Sequence, residues 1–230
     1  MTPESLKAHP LLRQWLALGP EGQVRAFSGK VDLGQGISHA LRLIVAEELR
    51  LSPECIDMVP ASTHFSPDEA VTSGSLSVQH SGRALRCAAA HLRETCRQQM
   101  AQLHGVEPTA VWCENGLFHA PGKVVPAPFA DLMHESLWDM AIDPAHVLAV
   151  EARADLNTAN PPTQNKAPGR PDVAAKVFGE FEYIHDRVMP NMCHGMVFRP
   201  GTLTAEVVEV LEADMQALQT ELQGQQGVVK

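Results

Sequence analysis

Two runs rich in glycine and hydroxyl residues, each placed directly before a helical stripe, constrain this chain more than any other feature. The first is Gly29-Lys30-Val31-Asp32-Leu33-Gly34-Gln35-Gly36. The second opens at Ser66-Pro67 and reaches Thr72-Ser73-Gly74-Ser75-Leu76-Ser77. After the first, Ile37, Ala40, Leu41, Ile44, Val45 and Leu49 share one face, which predicts a helix over 37–51. After the second, Leu85, Ala88, Ala89, Leu92, Cys96, Met100 and Leu103 do the same, which predicts a helix over about 78–104. Strand-like stretches at Val24–Val31 and Cys55–Pro60 offer these helices a mixed sheet to pack on, so the expected class is α/β (α+β) with two main helices. Glycine leaves the backbone bare, and a helix N-terminus favours negative charge. Two such runs feeding two helices suggest one phosphorylated ligand held from both sides.

Residues 1–22 form a surface arm with one helical turn, docked through Trp15. Residues 61–77 make a loop long enough to suggest function. A hairpin spans Val111–His119 with its turn at Glu114-Asn115-Gly116, and a short helix falls within Pro126–Trp138. The prolines and polar residues of 155–170 predict a linker between a domain over 1–154 and a second, partial one over 171–230. In that second part Phe181–Ile184 and Gly195–Phe198 are strand-like, and Thr202–Leu222 reads as an amphipathic helix. Glu47 and Glu48, late in the first helix, oppose its dipole and are expected to face solvent or pair outward.

A net charge of −9 argues against nonspecific nucleic-acid binding, which needs a basic face. No apolar run approaches the ~20 residues of a membrane span, and residues 1–15 lack the apolar stretch of a signal peptide, so a cytoplasmic location is expected. A periplasmic location stays open through an export signal on a partner. The five cysteines show no C-x-x-C spacing and read as ordinary thiols; no metal-ligand set is assigned.

The run Gly29–Gly36 with its helix, together with Ser66–Ala84, resembles the molybdenum-cofactor-binding large subunit of the xanthine dehydrogenase/aldehyde oxidase family. The nearest flavour is the bacterial branch of isoquinoline 1-oxidoreductase and nicotinate dehydrogenase. The likeness resumes at Pro171–Glu180, Tyr183-Ile184-His185-Asp186, Met192-Cys193-His194-Gly195 and Phe198-Arg199-Pro200, which look like the opening of that family's hammerhead domain. Carried over by position, the resemblance implies that Gly34 and Gln35 contact the pterin. It also implies that Thr72, Gly74, Ser75, Leu76 and Ser77 grip the phosphate end of molybdopterin, in its plain or cytosine dinucleotide form. It implies an oxidoreductase that hydroxylates an aldehyde or N-heterocycle with water as the oxygen source. Its partners would be an iron–sulfur subunit and the rest of the large subunit.

The motif that carries the family's catalytic glutamate has no match here, nor has the second cofactor-binding region, so no catalytic residue is assigned. The resemblance therefore implies an N-terminal piece of a large subunit. Each run also has a plainer reading, because glycines commonly turn a strand into a helix, and Ser and Thr are ordinary N-caps. The alternative function is a cofactor-free scaffold or interaction fragment, whose open sheet edges and apolar helix face would favour a homodimer.

Overall fold

The computed structural model describes residues 3–122, 125–147 and 169–193, with a broken set of positions between 195 and 223. It divides into two units, Met1–Pro171 and Asp172–Lys230.

In the first unit, a short helix α1 (Glu4–Ala8) leads to strands β1 (Leu16–Leu18) and β2 (Val24–Ala26). Helix α2 (Ile37–Leu49) then returns the chain to β3 (Ile56–Met58). The pairing β1-β2 is antiparallel and β2-β3 parallel, so this is a mixed sheet built on a β-α-β unit. Helix α3 (Arg83–His104) is entered through one π-type turn, Val78–Gly82. A second, antiparallel sheet joins β4 (Trp112–Glu114), β5 (Leu117–His119) and β6 (Ala127–Pro128). The turn between β4 and β5 holds Asn115 and Gly116 at φ 50° and 74°, the left-handed pair that matches the twist of a two-residue hairpin. Helix α4 (Phe129–Leu132) follows.

The core lies between the helices and both sheets. Trp15, Leu16, Val24, Leu41, Val45, Leu49, Leu85, Leu92, Met100 and Phe118 are all buried there. Each such side chain contributes roughly 1.5–3 kcal/mol on leaving water. The arm does dock through Trp15, whose indole N–H donates to the His9 carbonyl at 2.8 Å.

Three expectations need correction. The stretch after Ala26 leaves the sheet before Val31, because residues 28–31 take their partners from the loop at 69–72. Glu48 faces inward, 1% exposed, with Arg93 Nη1 at 2.6 Å and Arg86 Nη1 at 3.1 Å; Glu47 alone reaches outward, to Arg86 Nη2 at 2.7 Å. This carboxylate ties α2 to α3, and the two guanidiniums offset the unfavourable charge at the α2 C-terminus. The third correction concerns the second unit, where a short helix α5 (Val173–Val177) closes on itself. Glu180 and Phe181 N–H both return to the Ala175 carbonyl, so 181–184 does not form a strand.

The second unit also contains helix α6, described over Glu212–Gln223 rather than from Thr202. Alternate positions of 195–198 lie outside the described residues, as does the linker read at 155–170 except for its last two positions. No helix among the described residues is long and apolar enough to cross a membrane.

Candidate cofactor cradle

The chain leaves β2 and runs antiparallel to nothing regular, yet the polar groups from Ser28 to Gly36 find partners close by. The Ser28 hydroxyl and the Gly29 N–H both donate to Glu69 Oε2, at 2.7 and 2.9 Å. Gly29 is required here by close approach, since a Cβ at this position would stand 2.4 Å from the Pro67 carbonyl oxygen. The Lys30 ammonium, 8% exposed, donates to the carbonyls of Glu69 (2.5 Å), Val71 (3.0 Å) and Ala70 (3.4 Å). Val31 N–H donates to Thr72 Oγ1 at 3.0 Å. The two sequence runs are therefore stitched side by side, and Thr72 is the predicted residue that joins them.

The first run then turns through Gly34 and Gly36, at φ 100° and 76°. Asp32 closes the turn: its Oδ1 accepts from Gly36 N–H at 2.8 Å and its Oδ2 from Ser38 N–H at 3.2 Å. Partial burial pushes the Asp32 carboxyl up. The Ser38 hydroxyl and the N–H groups of Gly36, Ser38 and Ile37 outweigh it and hold the carboxyl below its ordinary value of 3.8. An internal carboxylate thus already occupies the N-terminus of α2. The expectation of an anion-binding end on both helices is overturned at the first of them, because those N–H groups are spoken for.

What the first run does present is Gln35. Its Oε1 accepts from Leu33 N–H at 2.5 Å and its Nε2 donates to the Val31 carbonyl at 3.0 Å. This folds the exposed amide against its own turn and leaves one N–H and one lone pair for a ligand edge. Arg170 also reaches this turn, donating from Nη1 to the Gly34 carbonyl at 3.1 Å. Its guanidinium covers Gly36, where a Cβ would meet Arg170 Nε at 2.7 Å.

The second run ends differently. Gly74 and Ser75 are both left-handed, at φ 64° and 55°, and the helical turn begins at Ser77 without any side-chain cap. Ser75 and Leu76 are exposed and Ser77 half-buried. A serine held at positive φ is strained, and such strain persists where surrounding contacts over-determine it. Free hydroxyls and uncapped N–H groups at one turn suit an anionic oxygen cluster such as a phosphate. The printed link between the two runs at this end is Val31 N–H to Thr72 Oγ1, ahead of Gly74–Ser77.

Sequence reasoning missed Lys30, Asp32, Glu69 and Arg170. For Asp32 a signal existed, a carboxylate just ahead of a helical stripe. For Lys30 and Glu69 none did, because their partners lie about 40 residues away: carbonyls for Lys30, and the Ser28 hydroxyl and Gly29 N–H for Glu69. Of the thiols, Cys55 and Cys193 are exposed. Cys87, Cys96 and Cys113 are buried and free, and burial pushes Cys113 up to about 11. Among the described residues no group of His, Cys, Asp and Glu could hold a metal ion.

Comparison with known proteins bears on this geometry. Residues 6–181 match the model of a molybdopterin cofactor-binding domain. The chain is 36% identical to a nicotinate dehydrogenase subunit of Pseudomonas putida over 190 residues, 82% of this chain and 15% of that protein. It is 35% identical over 101 residues to the gamma subunit of the 6-hydroxypseudooxynicotine dehydrogenase complex of Paenarthrobacter nicotinovorans, 44% of this chain and 13% of that protein. Among solved structures, CO dehydrogenase from Oligotropha carboxidovorans is similar with a TM-score of 0.43 at 25% identity, over 46% of this chain and 13% of that one. The chain thus spans about one seventh of the length of the curated relatives it matches first.

Proposed function

The chain belongs to the molybdopterin cofactor-binding domain family of the molybdenum hydroxylases, and from that premise we propose that its two stitched turns form one part of the cofactor clamp. Gly74, Ser75, Leu76 and Ser77, with the Thr72 hydroxyl beside them, receive the phosphate end of molybdopterin. Gly34 and Gln35 meet the pterin edge, the Gln35 amide offering one donor and one acceptor to it. The observation that carries this reading is the contrast between the two helix ends: α2 is closed by Asp32, whereas the turn at Ser77 is uncapped.

When bound, the cofactor supplies the redox and oxygen-transfer chemistry; the protein supplies binding, orientation and electrostatics. This chain's share is to hold the phosphate by charge-assisted hydrogen bonds and to keep the pterin edge registered by a preformed turn. The assembled enzyme would hydroxylate an aldehyde or N-heterocycle with water as the oxygen source. An iron–sulfur subunit and further large-subunit segments would be its partners.

The test is cofactor retention. The purified protein is denatured and oxidised, pterin fluorescence is read in the supernatant, and molybdenum is measured on the same sample. The double variant Ser75→Ala/Ser77→Ala should lose pterin by about tenfold or more, on the strength of two charge-assisted hydrogen bonds. Undiminished pterin in that variant would remove the phosphate role from this turn. Absence of pterin from both proteins would favour the scaffold reading.

A further inference from the structure

Lys30 does more than stitch two loops. Its ammonium gathers three successive carbonyls, those of Glu69, Ala70 and Val71. All peptide bonds among the described residues are trans. In a trans peptide the C=O of one residue and the N–H of the next point in opposite directions. With the three carbonyls converging on Lys30, the N–H groups of Ala70, Val71 and Thr72 are therefore turned to the other side of the strap.

The first of these, Ala70 N–H, already donates to a carboxylate oxygen, Asp68 Oδ1, at 2.9 Å. The N–H groups of Val71 and Thr72 continue the row directly into the turn at Thr72–Ser77. Ala70 sits at φ 56°, and a left-handed residue inside such a row is the geometry that makes successive amides concave toward an anion. The 68–70 stretch borders a cavity of about 550 Å³ that it shares with Ser5, Gln79 and Arg83.

We infer that Lys30 is a positioning residue that turns the 69–72 strap inside out, so that the backbone N–H groups of Val71 and Thr72 extend the anion cradle begun at Ser75 and Ser77. The inference rests on the proposed cradle and adds two donors and the residue that aims them. The ligand chemistry is a phosphate or pyrophosphate group. Lys30 itself never touches it; its contribution is orientation, plus a positive charge behind the amide row.

The test is a ¹⁵N-resolved titration of the full chain with inorganic pyrophosphate. In the wild type, the amide signals of Val71 and Thr72 should shift along the same binding curve as those of Ser75 and Ser77. In Lys30→Met those two shifts should vanish and binding weaken by about tenfold, the loss of one to two charge-assisted hydrogen bonds. Lys30→Arg, which can still donate to the carbonyls, should keep both shifts. Movement of Ser75 and Ser77 without Val71 and Thr72 in the wild type would overturn the inference and leave the cradle standing. No movement anywhere in 71–77 would overturn both. The wild-type result decides these outcomes even if Lys30→Met fails to fold.

Discussion

Replacing Asp32 with alanine removes the carboxylate that holds the Gly36 and Ser38 N–H groups and closes the end of α2. The expected loss is about 1 kcal/mol of stability, measured by chemical denaturation at neutral pH. The pH dependence follows from the same hydrogen bonds. Because the folded carboxyl lies below its ordinary 3.8, the unfolded chain binds a proton first on acidification. The Asp32 contribution is present above that value and is lost as pH falls through the folded one, so the gap between wild type and Asp32→Ala should narrow in acid. Gly29 makes a second prediction at this scale. Its Cβ would meet a backbone carbonyl oxygen at 2.4 Å, so Gly29→Ala must push the two loops apart. The expected cost is about 1–3 kcal/mol, with lost pterin retention in the same protein.

Between elements, the α2–α3 contact depends on Glu48. Glu48→Ala would leave Arg93 buried without its carboxylate, at an expected cost of about 3–5 kcal/mol in urea or thermal unfolding. The inward face of Glu48 could have been read from the sequence, since residue 48 falls two helical turns after Leu41 on the apolar stripe, and Arg86 and Arg93 repeat at the same spacing on α3. The charge label concealed the periodicity.

A second contact joins α3 to the stretch 143–147. Here the rings of His91 and His146 stack at 5.1 Å, and Asp143 N–H donates to His91 Nδ1 at 3.1 Å. Burial, and then His146, lower the His91 pKa below 6.5, against the opposite pull of Asp143 and Glu94. In this range the unfolded chain binds the proton more readily. The His91 contribution is whole above pH 6.5 and falls as pH drops from there toward the folded value. His91→Gln should flatten the stability profile as pH falls below 6.5.

At the scale of the molecule, the elements legible beforehand were those with long or chemically marked patterns. Helix α2 announced itself by its stripe, and the β4-β5 hairpin by Asn115-Gly116. Strand β1, three residues long, was hidden in an arm because two or three residues carry no period to read. The runs at 29–36 and 66–77 were legible as glycine and hydroxyl segments, and the molybdenum hydroxylase resemblance holds for the chain through residues 6–181. Their joining was not legible, because Lys30, Glu69 and Asp32 bond mostly to backbone groups, which every residue carries.

If one molybdopterin is gripped by both runs together, both should be shielded from solvent at once. The most direct measurement is amide hydrogen exchange of the full chain with and without molybdopterin released from a donor enzyme. Residues 31–38 and 71–80 should become protected in parallel, at the same ligand concentration. Protection of neither segment, or protection of one while the other exchanges unchanged, would contradict it.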